Sequence, residues 1–302
     1  MFVAVGLPVD RVGFGDEFVS GPAVAEMSTA VEAVGFDAVF VTDHPFPDSR
    51  WLASGGHHAL DPMVALSFAA AATKTLRLLT NLFVLPYRNP FLAAKQVSSL
   101  DVLSGGRVIL GVGSGYLRPE FEALGAEFVG RGDVVDEAID AMRAAWSGEP
   151  VTFDGRFARA RGNVMLPKPK QAGGPPIWIG GNSKRAIRRA VEKGQGWLPI
   201  PSPEAASKFL GTPGIESHGS LAERIAYARD HAAEVGRTDP LDIVFIPKGL
   251  DGFAPEFPST SQLVDELAAL REIGVTGVVA NVPAETRSQW RTNLEALAEA
   301  FR

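Results

Sequence analysis

The stretch Gly105–Glu120, GGRVILGVGSGYLRPE, decides how this chain is read. Val108, Ile109, Leu110 and Val112 form a run rich in β-branched residues between glycines, the pattern of a strand buried on both faces in a parallel sheet. The strand leaves through Gly111, Gly113, Ser114 and Gly115, so few side chains crowd its exit and a ligand can approach the main chain. Tyr116 and Arg118 stand at the lip, and Pro119 suits the first turn of a helix. Strand, bare mouth and helix make one βα unit.

Working outward, the same unit recurs. FVAVG (Phe2–Gly6), AVFVT (Ala38–Thr42) and Leu76–Leu82 are strands. The helices between them are opened by Asp61-Pro62 and Asn89-Pro90, an N-cap followed by proline, and Gly35 closes the first of them. After the opening stretch the repeat breaks. An amphipathic helix over Arg131–Trp146 leads into Gly148–Met165, which predicts a β-hairpin turning at Asp154-Gly155. The repeat resumes with strands at Pro175–Gly181, Trp197–Ile200, Ile243–Pro247 and Gly277–Val282. Eight β-α steps predict a TIM (β/α)8 barrel, an α/β fold with an inserted excursion after strand four, formed as one domain over residues 1–302.

Composition narrows the function. Lys plus Arg is 29 against 35 Asp plus Glu, a net charge of −6, which lacks the field for non-specific nucleic-acid binding. The chain has no cysteine, so disulfides, thiolate metal sites and cysteine nucleophiles are excluded, and a cytoplasmic location is expected. MFVAVGLPVD has no basic region of a signal peptide, and no segment is long enough to predict a membrane span.

In a barrel the strand exits share one mouth. Here they bring Asp43-His44, Thr80-Asn81, Gly113–Tyr116, Gly180–Ser183, Trp197, Lys248 and Asn281, a set rich in hydrogen-bonding groups. Gly180-Gly181-Asn182-Ser183, two glycines and a cap before a helix, reads either as an anion site or as an ordinary N-cap. Between Gly155 and Val191 there are nine basic residues and no acid, which favours a polyanionic ligand over a solvated helix face. GVGSG is not a dinucleotide fingerprint, since Tyr116 stands in its path and no ribose-binding acid follows at the required distance. His44 is the side chain suited to exchange protons near neutral pH. His57, His58 and Asp61 do not have metal-ligand spacing, so no metal is expected. Lys248 allows a Schiff-base aldolase as a competing reading, though its Pro-Lys-Gly context favours an exposed loop. Trp51 and Phe46 are candidates to line an aromatic pocket.

Three blocks together resemble the luciferase-like monooxygenase superfamily, and most of all its branch that uses the deazaflavin coenzyme F420: GFDAVFVTDH (Gly35–His44), the long segment Arg77–Gly125, and PPIWIGGNS with QGW (Pro175–Ser183 and Gln195–Trp197). The resemblance implies a homodimeric barrel with a flavin-like ring in its mouth. It implies that Asp43 contacts the coenzyme, that His44 is the acid/base, and that a non-proline cis peptide at Asn81–Leu82 backs the ring. Thr80, Gly113, Ser114, Gly115 and Trp197 belong to the same cofactor surround, and Gly180, Gly181, Asn182 and Ser183 take the coenzyme phosphate. The catalytic glutamate of the sugar-phosphate dehydrogenases in this branch falls on Tyr116, which counts against a sugar phosphate and makes Tyr116 a second proton-donor candidate. The expected function is hydride transfer between the deazaflavin and a small organic substrate. An FMN-dependent monooxygenase, which needs a flavin reductase as partner, is the alternative; a non-catalytic flavin-binding barrel is a third.

Overall fold

The computed structural model describes residues 1–252 and 256–301. Its strands are β1 (Phe2–Gly6), β2 (Ala38–Val41), β3 (Arg77–Thr80), β4 (Phe83–Val84), β5 (Val108–Gly113), β6 (Val151–Asp154), β7 (Arg159–Asn163), β8 (Ile177–Gly180), β9 (Gly196–Leu198), β10 (Asp242–Phe245) and β11 (Gly277–Ala280). The α-helices are α1 (Gly21–Ala33), α2 (Ser49–Ala53), α3 (Pro62–Ala72), α4 (Pro90–Leu103), α5 (Arg118–Ala123), α6 (Arg131–Ala145), α7 (Lys184–Lys193), α8 (Ser207–Leu210), α9 (His218–Glu234), α10 (Thr260–Ile273) and α11 (Arg287–Ala300). The predicted caps hold. Asp61 accepts from the amides of Met63 and Val64, and Asn89 from those of Phe91 and Leu92. Each such cap stabilises its helix by roughly 1 kcal/mol.

Eight strands close into a parallel barrel in the order β3-β2-β1-β11-β10-β9-β8-β5, with β3 meeting β5 to complete the ring. β4 carries the path of β3 onward past a cis peptide at Asn81–Leu82 and pairs with the end of β5. Strand alternation sorts the core into two parts. Val3 and Val5 turn outward to the helices, while Ala4 turns inward. Every barrel strand supplies the inner cluster, which contains Ala4, Ala38, Phe40, Leu79, Ile109, Trp178, Leu198, Val244 and Val279, with Leu82 packed against it.

The excursion after strand four is present, with its turn displaced from the expected position. The loop is Gly155–Ala158, closed by the Gly155 amide on the Ala158 carbonyl at 3.0 Å. The Glu137 carboxylate of α6 accepts from the amides of Arg156, Phe157 and Ala158, which satisfies a longer turn than Asp154-Gly155 alone would make. The basic stretch also reads differently in three dimensions. Arg185 pairs with Asp133 and Asp136, Arg189 with Asp136, and Arg159 and Arg161 with Asp154. The acids lie just upstream, so part of the reversal of sign is compensated in space: four of the nine basic residues are ion-paired. Among the described residues no helix is long and apolar enough to cross a membrane.

Candidate functional site

The chain leaves β2 through Asp43 and His44, and α5 brings Glu120 against them. Glu120 is fully buried. His44 Nδ1 lies 3.1 Å from its Oε2, the Tyr87 hydroxyl donates to the same oxygen at 2.8 Å, and the Phe46 amide donates to Oε1 at 2.8 Å. A buried carboxylate without partners is costly; three donors remove that cost. Burial pushes Glu120 up, but the hydrogen bond and charge of His44, with the Phe46 amide and Tyr87 hydroxyl, outweigh it and hold the carboxyl below its usual range. On the other side of the ring, the Tyr116 hydroxyl is 3.5 Å from His44 Nε2. Burial first, and the charge of Glu120 second, push both Tyr87 and Tyr116 up, so each remains a neutral hydroxyl.

Aromatic rings enclose this group. Trp51 tilts over His44 with centroids 4.5 Å apart, His57 meets it edge-on at 4.9 Å, and Phe209 meets Tyr116 at 5.6 Å. Burial pushes the His57 ring down toward its neutral form, and the nearness of His44 adds to this. Phe46 is exposed and contributes its amide rather than its ring.

Beneath the mouth lies a set of engaged groups. The Asp43 carboxylate is gripped by the Arg88 guanidinium through two contacts of 2.6 and 3.0 Å and accepts from the Val84 amide at 2.9 Å. The Thr80 hydroxyl donates to the Gly111 carbonyl at 2.8 Å across the closing seam of the barrel. Leu82 rests over two glycines: a Cβ at Gly180 would lie 2.0 Å from Leu82 Cδ1, and one at Gly113 would lie 3.2 Å from it. The glycines that the sequence assigns to a ligand therefore make room for Leu82, whose side chain is the apolar platform at the strand ends. Gly115, at φ 72°, turns the chain where Phe121 and Val84 occupy the space of a Cβ, and Ser114 lies half-buried before it.

On the β8 side, Asn182 is fully buried. Its Nδ2 donates to the carbonyls of Ile200 and Pro213, and its Oδ1 accepts from the Ile200 amide. Trp197 is buried and donates to the Gly181 carbonyl. The Gly181 amide is used by Leu198 and the Asn182 amide by Thr212. Ser183 caps α7 by accepting from Ala186, which leaves the first helical amides, of Lys184 and Arg185, without intrahelical acceptors. The donors this loop leaves open are thus those amides and not the Asn182 side chain.

The structure accordingly brings His44 and Tyr116 together and places Asp43, Thr80, Asn182 and Trp197 beneath the surface as supports. Each of those four side chains is buried with its polar atoms engaged within the protein. Glu120 and Tyr87 join the candidate site through their bonds to His44 and to each other, and the sequence reading passes over both. Lys248 is exposed, with its amide on Glu266, and lacks the desolvated setting of a Schiff-base lysine. Among the described residues no group of His, Asp and Glu is arranged to hold a metal ion. A cleft of about 330 Å3 between the hairpin and α4, lined by Phe91, Lys95, Val151, Arg159, Met165 and Leu166, has no convergence of titratable groups comparable to that at the barrel mouth.

Comparison with known proteins shows the family. Residues 16–247 match the model of the family described as luciferase-like monooxygenase. An uncharacterized protein of Mycobacterium tuberculosis is 32% identical over 265 residues, covering 84% of this chain and 82% of its own. An F420-dependent glucose-6-phosphate dehydrogenase of Gordonia bronchialis is 29% identical over 219 residues, covering 70% of this chain and 63% of its own. Two solved structures share the fold. One is an F420-dependent secondary alcohol dehydrogenase in complex with an F420-acetone adduct (TM-score 0.74, 18% identity, 100% of this chain and 99% of that one). The other is the oxygenating constituent of a 3,6-diketocamphane monooxygenase from Pseudomonas putida in complex with FMN (TM-score 0.76, 16% identity, 99% and 97%).

Proposed function

Because this chain belongs to the luciferase-like monooxygenase family, we propose that it is an oxidoreductase that uses the deazaflavin coenzyme F420 to move a hydride to or from a small organic substrate. The observation that carries the reading is the His44–Glu120 pair opening toward Tyr116 inside a ring of aromatic side chains. Hydride transfer at carbon is accompanied by movement of a proton, and an imidazole backed by a carboxylate is suited to give or take it. The residues fit a flat, tailed, anionic group. Leu82 over Gly113 and Gly180 offers an apolar surface for a ring, and the orphan amides at the start of α7 offer donors for a phosphate.

When bound, the deazaflavin supplies the carbon that accepts or releases the hydride. The protein does the rest. His44 holds or takes the proton, with the neutral Tyr116 hydroxyl beside it. Trp51, His57 and Phe209 exclude water from the reacting atoms. A named relative at 29% identity uses this coenzyme, which supports the cofactor assignment. Tyr116 stands where the family resemblance puts the catalytic glutamate of sugar-phosphate enzymes, and this favours a substrate other than a sugar phosphate.

An FMN-dependent monooxygenase is the second reading, since the amides of Lys184 and Arg185 suit a single terminal phosphate as well as a longer anionic tail. Equilibrium titration of the protein with each coenzyme separates the two. The expected result is saturable binding of the deazaflavin and none of FMN at matched concentrations; the reverse order refutes the proposal.

A further inference from the structure

We propose that Glu120 is a positioning residue, one that keeps the His44 proton on Nδ1 and so makes Nε2 the ring atom that exchanges a proton with substrate. The inference rests on the reading of His44 as the acid/base of an oxidoreductase, and it goes beyond that reading by saying which ring atom reacts and what decides it.

An ionised carboxylate can only accept hydrogen bonds, so the ring nitrogen 3.1 Å from Glu120 Oε2 must carry the hydrogen. The neutral ring then leaves Nε2 with its lone pair open. Glu120 cannot turn away to release this arrangement. Its two oxygens are held by the Phe46 amide and the Tyr87 hydroxyl, and the side chain is fully enclosed. The hold on the opposite nitrogen is weak by comparison, since the Tyr116 hydroxyl stands at 3.5 Å, the outer limit of a hydrogen bond. A substrate atom arriving at Nε2 displaces little.

The proton step balances as follows. In the oxidative direction the hydrogen on the substrate heteroatom leaves as a proton to Nε2, and the electron pair of that bond becomes the new double bond to carbon. The same carbon releases its hydride to the coenzyme. The Nδ1 hydrogen stays on the ring, and the imidazolium formed lies directly against Glu120. Reduction runs the same path backward.

Glu120→Gln gives a sharp test because the rest of the network dictates how the amide must sit. The Phe46 N–H requires an acceptor, so the amide oxygen takes the place of Oε1. The amide N–H2 then faces His44 Nδ1, which must become the acceptor, and the ring hydrogen moves to Nε2. Long-range 1H–15N spectra of the 15N-labelled full-length protein, recorded without coenzyme at about pH 9, where an ordinary histidine is neutral, read the tautomer directly. Loss of a signal in His44→Asn identifies which of the histidines it is. The expected result is Nδ1–H in the wild-type protein and Nε2–H in Glu120→Gln. Nε2–H in the wild-type protein overturns the proposal without need of any variant, and so does an unchanged tautomer in the folded Glu120→Gln protein. Deazaflavin binding measured on the same samples tests the cofactor reading separately: a wild-type protein that shows Nδ1–H and binds no deazaflavin loses the cofactor assignment and keeps the positioning role.

Discussion

Gly180→Ala is the smallest change that reaches the platform of the site. The backbone at Gly180 is outside the left-handed region, so alanine meets no conformational objection there. Its Cβ would lie 2.0 Å from Leu82 Cδ1, 3.0 Å from Cδ2 and 3.1 Å from Cγ. An ordinary carbon–carbon contact is about 3.5 Å, so the isobutyl group must retreat by about 1.5 Å. Gly113 limits the retreat on its side, since a Cβ built there would lie 3.2 and 3.3 Å from Leu82 Cδ1 and Cβ. The side chain must leave its rotamer and rise into the mouth. Overpacking of this kind costs about 1–3 kcal/mol, offset by about 0.5–1 kcal/mol from replacing a strand glycine. A net loss of about 0.5–2 kcal/mol lowers the melting temperature by roughly 1–5 °C in a chain of this size. The effect on deazaflavin affinity is expected to exceed the effect on stability, because the displaced leucine occupies the space assigned to the ring. Leu82→Ala removes the obstacle, so the double variant should recover part of the loss, with a coupling of roughly 1–2 kcal/mol in a thermal or denaturant cycle. Additive single effects, or a Gly180→Ala protein that binds deazaflavin as the wild type does, would show that Leu82 is not the floor of the site.

Other perturbations probe the supports. Asp43→Ala strands the Arg88 guanidinium in a largely buried place and is expected to destabilise by about 3–5 kcal/mol in urea denaturation, while Asp43→Ala with Arg88→Met loses less. Asn182→Ala leaves the Ile200 amide and the Ile200 and Pro213 carbonyls unpaired, at about 1–3 kcal/mol each at most, and should raise the protease sensitivity of the segment around residues 200–213. Glu32 accepts from the amides of Lys74, Thr75 and Leu76 and from the Thr75 hydroxyl; burial raises its carboxyl, but these bonds prevail and lower it from 4.5 to about 2. A depressed folded-state value means that this contribution is whole above pH 4.5 and disappears as pH falls toward 2. Glu32→Gln should therefore lower stability at neutral pH and flatten its decline in that acid range, as followed by melting temperature against pH.

What the sequence shows and what it hides follow from the range of each interaction. Strands and caps are local, so the run Val108–Val112, Asp61-Pro62 and Asn89-Pro90 declare themselves to a reader of neighbouring residues. The inner core follows from strand alternation once eight strands are counted. The partner of His44 is 76 residues away on a six-residue helix, and Tyr87 is 33 residues from Glu120. No periodicity marks such contacts. The one available signal for Glu120 was its position directly after the glycine mouth, an acid in the first turn of a short helix. The pairing of the basic stretch is hidden for a different reason. Its acids, Asp133, Asp136 and Asp140, recur at helical spacing on α6, and their match to Arg185, Arg189 and Lys193 on α7 becomes visible only when the two helices are compared face to face.

Those helix pairs have a further consequence. α6 and α7 flank the excursion, and their ion pairs, with the Arg143 bond to the Lys193 carbonyl, fix the points where the chain departs from the barrel and rejoins it. Trp146 on the Ala94 carbonyl and Gln171 on Asp101 anchor the two legs to α4. The hairpin between those anchors is tied down in turn by the Glu137 bonds at its tip and by Phe153 packing on Phe91. Doubling the length of a flexible loop between fixed ends costs only about 0.6 kcal/mol. The excursion is thus a socket with one condition: a segment grafted between Ser147 and Met165 must supply new donors for the Glu137 carboxylate if α6 is to keep its place.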